Sequence, residues 1–214
     1  MKRLSILIPT IGRRNEKFLE LLAGLLPQIK GHDIEIVAYW NNGEHSIGEI
    51  RQALLEEAKG EYVCFIDDDD SVPDYYCAEV MKALGKDYVG FEVELFNNGV
   101  KMPRVFHSIR YGVWHQDDDG YYRGVTHLNP IKRSIAIKGR FSTKGSGEDA
   151  EWARSIVADV RTENYIDKIM YYYYHDADDT SFTTVPKPKH EYERPEFKDP
   201  QFRWHPKSKT KGVM

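Results

Sequence analysis

The sequence predicts an α/β fold: a mostly parallel sheet flanked by helices, with an antiparallel hairpin region added to it. Three observations predict this. The first 85 residues alternate short apolar runs with segments of helical spacing, the pattern of a parallel sheet covered on its faces. The segments that follow each apolar run carry the polar and charged residues, where open α/β sheets bind ligands, beyond the carboxyl ends of their strands. The 214 residues, 41% hydrophobic, suffice for one sizeable core.

The elements can be justified in order. "LSILIP" is a compact apolar run that reads as a buried strand ending at Pro9. "NEKFLELLAGLLPQI" places Phe18, Leu19, Leu22, Leu25 and Leu26 at helical spacing. "IEIVAYW" is a second strand. "SIGEIRQALLEEAKG" is a helix with Ile50, Leu54 and Ala58 on one face and Gly60 placed to end it. "YVCFI" is a third strand, and "PDYYCAEVMKALG" is a helix punctuated by Pro73 and Gly85. After residue 85 the pattern changes. "YVGFEVELF" and "VKMPRVFHSI" read as a hairpin around Asn97, Asn98 and Gly99. "YGVWHQ" and "YYRGVTHL" read as a second hairpin closed by Asp117–Gly120, whose acids are turn chemistry. "GEDAEWARSIVADV" is a helix and "YIDKIMYYYYH" a strand. From residue 186 the chain is rich in Pro, Lys and Arg, with eight Lys/Arg against four Asp/Glu, and reads as an extended or disordered basic tail.

Composition excludes several classes. A net charge of -4 gives no global basic excess for nucleic acid. Cys64 and Cys77 form neither a CxxC pair nor a metal pattern and read as two reduced core thiols. No stretch approaches the roughly 20 apolar residues of a membrane span. A soluble, cytoplasmic protein is expected.

The chemistry centres on "FIDDDDS". Asp67 to Asp70 are hard oxygen ligands at the end of an apolar strand. They suit Mg2+ or Mn2+, which also take phosphate oxygens and water. In an extended chain Asp67 and Asp69 share one side and Asp68 and Asp70 the other. One pair can then face a ligand while the other caps the next helix. A solvated acidic turn or a calcium loop is the competing reading. Glu148 and Asp149 follow a Gly-Ser-Gly and open a helix. Acids are common in a first turn, but beside a metal-binding loop one of them becomes a candidate general base. His175, ending the tyrosine-rich strand near the same edge, is a packed or surface histidine or a third metal ligand.

These stretches, taken together and in order over residues 4–176, resemble family 2 glycosyltransferases of the Rossmann-like GT-A fold. The resemblance makes 1–85 the nucleotide-sugar-binding half, 86–185 the acceptor-side half of one GT-A domain, and 186–214 the tail. It implies a metal-dependent, inverting transfer from a nucleoside diphosphate-sugar, with UDP-sugar the leading donor, to a hydroxyl acceptor. The metal motif falls on Asp67 and Asp69, with Asp69 making the main contact to Mn2+ or Mg2+ and His175 the late ligand. Asp149 is the implied base. Pro9, Thr10, Arg13, Asn41, Asn42, Arg51, Asp67, Asp68, Asn129 and Glu148 are the implied donor-site residues, with Arg13 or Arg14 near the phosphates. Asn41 and Asn42 stand where the family has an aspartate that reads uracil, and an amide donates as well as accepts. A glycan, a lipid carrier, a protein or a modified nucleic acid base would each suit as acceptor. Two rival readings share the fold: a sugar nucleotidyltransferase, which "PTIGRRNEK" is too poor in glycine to favour, and a transferase-like module that binds nucleotide or glycan without turnover.

Overall fold

The computed structural model describes residues 2–112, 114–175 and 193–208. Its first half alternates as expected: strand β1 (Leu4–Ile11), helix α1 (Asn15–Ile29), β2 (Ile34–Asn41), α2 (Ile47–Glu57), β3 (Tyr62–Phe65) and α3 (Tyr76–Ala83). The second half holds β4 (Tyr88–Asn97), β5 (Val100–Lys101), β6 (Val105–His107), β7 (His115–Gln116), β8 (Tyr121–Arg123), β9 (Ile131–Lys132), α4 (Arg133–Ala136), α5 (Glu148–Ile156) and β10 (Glu163–His175). The last described strand is β11 (Phe202–Trp204).

These strands form a single mixed sheet in the order β11-β2-β1-β3-β9-β4-β6-β8-β7, with β5 and β10 also paired to β4. β1 is parallel to both β2 and β3, whereas β9 joins β3 to β4 antiparallel. Successive side chains of a strand point to opposite faces, so each face has its own core. Leu4, Ile6 and Ile8 of β1 pack with α1 and α3 through Phe18, Leu22 and Val80. Leu7 packs on the other face with α2, α4 and α5 through Leu54, Ile135 and Trp152. In α1 the buried stripe is Phe18, Leu21, Leu22, Leu25 and Ile29, while Leu19 points outward. β1 runs through Pro9 to Ile11, past the expected end. Its ladder with β3 stops at Leu7, so Pro9 sits where β1 has already lost one neighbour.

Both predicted hairpins form. Asn98 and Gly99 adopt positive φ (48° and 75°) between β4 and β5, the two-residue turn that matches strand twist. β7 and β8 pair antiparallel. Cys64 and Cys77 are free and buried, and burial pushes both thiols up to about 12.

Residues 193–208 are not a disordered arm. β11 adds a parallel strand to the edge of β2, pairing Phe202 with Ile36 and Trp204 with Ala38. Phe202 enters the core, and Trp204 lies 5.5 Å from the ring of Phe18. Arg203 reaches Glu35 at 3.1 Å and donates to the Glu57 carbonyl at the end of α2 at 2.7 Å. Glu35 is buried, so it needs this cation. The expected domain boundary at 185/186 lies outside the described residues.

Candidate active site

A cleft of about 650 Å³ opens at the carboxyl ends of β1 and β3, lined among others by Arg14, Arg51, Asp67, Asp69, Asp70, His127, Glu148 and Asp149. Each of these arrives from a different element for a local reason.

The four aspartates form a turn rather than an extended run, since the Asp70 N–H donates to the Asp67 carbonyl at 3.2 Å. Their burial still alternates. The side chains of Asp67 and Asp69 stay 21% and 19% exposed at the cleft, whereas Asp68 and Asp70 are buried. Asp68 faces inward and braces the loop after β1, accepting from the Ile11 N–H at 3.3 Å and from Arg14 at 3.0 Å. Asp70 does not cap α3. It accepts from the Tyr171 hydroxyl at 2.7 Å and the Tyr174 N–H at 2.9 Å, which ties the turn to β10. The Tyr171 oxygen in turn accepts from the Asp67 N–H at 3.1 Å.

Among the described residues, two arginines pair with these aspartates. Arg14 lies 2.8 Å from Asp69 and 3.0 Å from Asp68. Arg51 donates to both carboxylate oxygens of Asp67, at 2.8 and 3.1 Å, and pairs with Glu148. Burial alone would raise the Asp67 pKa, but Arg51 and His127 hold it well below the usual carboxylate range. Burial, partly offset by Arg14 and reinforced by Asp69, pushes Asp68 up to about 7. Burial and the neighbouring Asp67 and Asp69 hold Asp70 well above its ordinary value. The turn therefore does not carry four full negative charges near neutral pH.

Helix α5 brings the second pair of acids. Trp152 anchors it: fully buried, stacked on Phe141 at 5.0 Å and donating its indole N–H to the Ala136 carbonyl at 3.1 Å. Gly147, at φ 78°, turns the chain into the helix. The preceding loop can reach α2 only because residue 48 is glycine; a Cβ there would stand 1.7 Å from the Ser142 carbonyl oxygen. Glu148 is buried at the wall of the cleft and holds Arg51, so it positions a cation there. Asp149 faces the cleft with its side chain 40% exposed. Burial would raise its pKa, but His127 and Arg51 outweigh this and lower it.

His127 carried no assignment from sequence. Its Nδ1 lies 3.5 Å from Asp149 and its Nε2 3.8 Å from Asp67, so its ring stands between the two acidic groups. The Phe65 N–H fixes its backbone by donating to its carbonyl at 2.9 Å. Nothing in "THLNP" signals this role, because it depends on the loop lying beside the end of β3.

Other sequence-derived residues lie elsewhere. Asn129 is fully buried; its Oδ1 accepts from Thr126 at 2.7 Å and contacts His107 Nδ1 at 2.7 Å, and its amide donates to the Val89 carbonyl. Its side chain is thus hydrogen-bonded within the protein. Asn41 spends its amide on its own loop: Oδ1 accepts from the N–H groups of Glu44 and His45, and Nδ2 donates to the His45 carbonyl. Pro9, Thr10, Arg13, Asn41, Asn42 and Asn129 are not among the residues lining the cleft, and Arg14 meets the aspartates there. His175 lines a second, adjacent depression with Lys17, Asp69 and Asp70, and its ring meets Asn97 at 3.2 Å.

Among the described residues no three His, Cys, Asp or Glu side chains converge as an all-protein metal cage. The donor chemistry nonetheless fits a hard divalent ion of the kind held by one or two carboxylates with substrate phosphates and water, because Asp67 and Asp69 keep oxygens at the cleft.

No protein-family model and no curated protein sequence matches the chain. Solved structures do. S. aureus TarS (residues 1–349) in complex with UDP-GlcNAc superposes with a TM-score of 0.62 at 16% identity, over 86% of this chain and 61% of that one. The same protein in complex with UDP gives 0.60 at 17% identity, over 80% and 60%. The mannosyltransferase PcManGT from Pyrobaculum calidifontis, in complex with GDP-Man and Mn2+, gives 0.50 at 16% identity, over 79% and 56%. The fold is GT-A. The GT-A sheet in this chain is mixed, and the chain spans about 60% of the length of the TarS structures. Among the described residues no helix is long and apolar enough to cross a membrane.

Proposed function

We propose that the protein is a nucleotide-sugar glycosyltransferase that uses Mn2+ or Mg2+ and inverts the anomeric centre. The observation that carries this reading is the convergence of the Asp67–Asp70 turn, its two arginines and Asp149 on one cleft of the GT-A fold. Structures of the same fold in complex with UDP-GlcNAc, UDP, and GDP-Man with Mn2+ support it.

Asp69 and Asp67 would hold the divalent ion, which when bound supplies Lewis-acid stabilisation to the diphosphate leaving group. Arg14 and Arg51 add fixed positive charge beside the same group. The lowered pKa keeps Asp149 ionised at neutral pH and ready to accept a proton. As the acceptor oxygen bonds to the anomeric carbon, its proton passes to an Asp149 carboxylate oxygen. The bond from that carbon to the diphosphate oxygen breaks, and the diphosphate leaves with the electron pair. One base and one displacement invert the centre. Because Asn41 is occupied within its own loop, the identity of the donor base does not follow from it.

The test is a thermal-shift panel of UDP, GDP, CDP, TDP and ADP with Mn2+ or with excess chelator, UDP first. At 100 times its dissociation constant a ligand adds about 2.7 kcal/mol of stability. A metal-dependent shift with one nucleotide is expected. Asp149→Asn is expected to keep that shift and lose transfer by a factor of about 10²–10⁴. Full turnover in Asp149→Asn would remove the base assignment, and no shift with any nucleotide would remove the transferase reading.

A further inference from the structure

We propose that the β7–β8 hairpin builds an acceptor subsite in which the indole of Trp114 is the platform for a pyranose ring, so that the acceptor is a glycan. The inference rests on the transferase reading, since it places the acceptor in the cleft that holds Asp149. Trp114 lines that cleft and is 61% exposed, an unusual position for so large an apolar side chain.

The platform stands beside a braced hairpin. The Arg123 guanidinium lies over the Trp114 ring at 5.4 Å. The hairpin beneath it is an aromatic ladder: Tyr122 stacks on Phe106 at 5.2 Å and on His115 at 4.8 Å, and Tyr111 packs edge-on against Tyr122 at 4.9 Å. Residue 124 must be glycine for Tyr111 and Gly112 to lie this close, because a Cβ there would stand 2.6 Å from the Tyr111 carbonyl oxygen. Backbone bonds from Ser108 N–H to the Arg123 carbonyl and from Tyr111 N–H to the Ser108 carbonyl hold the same segment. Bracing of the neighbouring hairpin and the Arg123 contact lower the conformational entropy that the indole loses on meeting a ligand.

The chemistry of the surroundings selects the ligand class. A pyranose has a face of C–H groups that packs on the negative π-face of an indole, while its hydroxyls remain at the edge for solvent and for the base. A nucleobase would also stack. It would bring a phosphate backbone into a cleft where the donor diphosphate already has the first claim on Arg14 and Arg51, so that its charge would lie beside Asp149. The net charge of -4 adds to that repulsion. A neutral sugar meets none of it.

The experiment is saturation-transfer NMR on the full chain with nucleoside diphosphate and Mg2+. The probes are methyl glycosides of glucose, galactose, mannose and N-acetylglucosamine, with an oligothymidylate alongside. At least one glycoside is expected to receive saturation on the C–H protons of one ring face. Trp114→Ala should weaken its binding about three- to tenfold, the range an aromatic contact supplies, and Trp114→Phe should restore most of it. The nucleotide thermal shift should be the same in both variants. Glycoside signals that are absent, or equal in wild type and Trp114→Ala, with the nucleotide shift intact, would overturn the subsite and leave the transferase reading standing. Trp114-dependent binding of oligothymidylate alone would overturn the glycan assignment. Loss of the nucleotide shift in the wild type would instead sink the transferase reading and this one with it.

Discussion

Two acidic runs of nearly the same composition, Asp67–Asp70 and Asp117–Asp119, have opposite fates in this molecule. The first ends a buried strand, and its members alternate between the cleft and the interior. Arg14, Arg51, Tyr171 and the Tyr174 N–H all meet it. The second is exposed and closes the β7–β8 hairpin. There Asp117 accepts from the N–H groups of Asp119 and Gly120 at 2.9 and 3.2 Å, the usual work of an aspartate in a turn. The difference teaches that a run of carboxylates becomes a site only where the fold brings cations to it and buries alternate members. Water solvates the others, and they remain turn residues.

That contrast can be broken from the cation side, and this is where the largest effect is expected. Arg51→Met leaves Asp67 and the buried Glu148 without their partner. Removing one member of a buried pair costs about 3–5 kcal/mol, readable by chemical denaturation. A loss below about 1 kcal/mol, the range of an exposed pair, would show that the first run is as solvated as the second. A smaller effect is expected from Asp69→Ala, which should weaken metal-dependent nucleotide binding about 100-fold, or about 2.7 kcal/mol. Isothermal titration with and without chelator measures it, and unchanged affinity would put the metal elsewhere.

Proton linkage sharpens the comparison further. The folded chain holds the Asp68 proton more tightly than the unfolded chain, because burial raises its pKa to about 7. The stability this provides is complete below the ordinary carboxylate value and is lost as pH rises through about 7. Thermal unfolding from about pH 4 to about pH 8 should show that decline in the wild type and a flatter profile in Asp68→Asn. A slope that Asp68→Asn leaves unchanged would assign it to another group. The smallest effect belongs to the second run: Asp118→Asn should change stability by less than about 0.5 kcal/mol and leave nucleotide binding unaltered. A larger change would give that turn a role its exposure denies.

Much of the fold was legible because its signals are local. The alternation of apolar runs and helical spacing placed α1 to α3 and β1 to β3, and Asn98-Gly99 and Asp117–Gly120 marked both hairpins. Glu148 and Asp149 were legible as the first turn of a helix. What each acid does there was not. One turns inward to Arg51 and the other outward to the cleft, a division set by the Gly48–Ser142 contact and the anchoring of Trp152. The pairing of residues 202–204 was not legible for a similar reason. Its basic, proline-rich composition suggests an arm, yet Phe202–Trp204 is a strand because the exposed edge of β2 is there to pair with it.

By itself the sequence determined the order and type of the main elements and the position of the aspartate turn at the end of β3. Periodicity, punctuation by glycine and proline, and strand-end placement act over a few residues and need no partner. Only the tertiary structure decided that Asp67 and Asp69 face the cleft while Asp68 and Asp70 brace it, that Arg14 and Arg51 are cations that meet them, and that Asn129 is spent internally. It alone placed His127 between Asp67 and Asp149 and Trp114 at the mouth of the same cleft. These are contacts between segments far apart in the chain, and their energies come from burial and charge pairing that no single segment carries on its own.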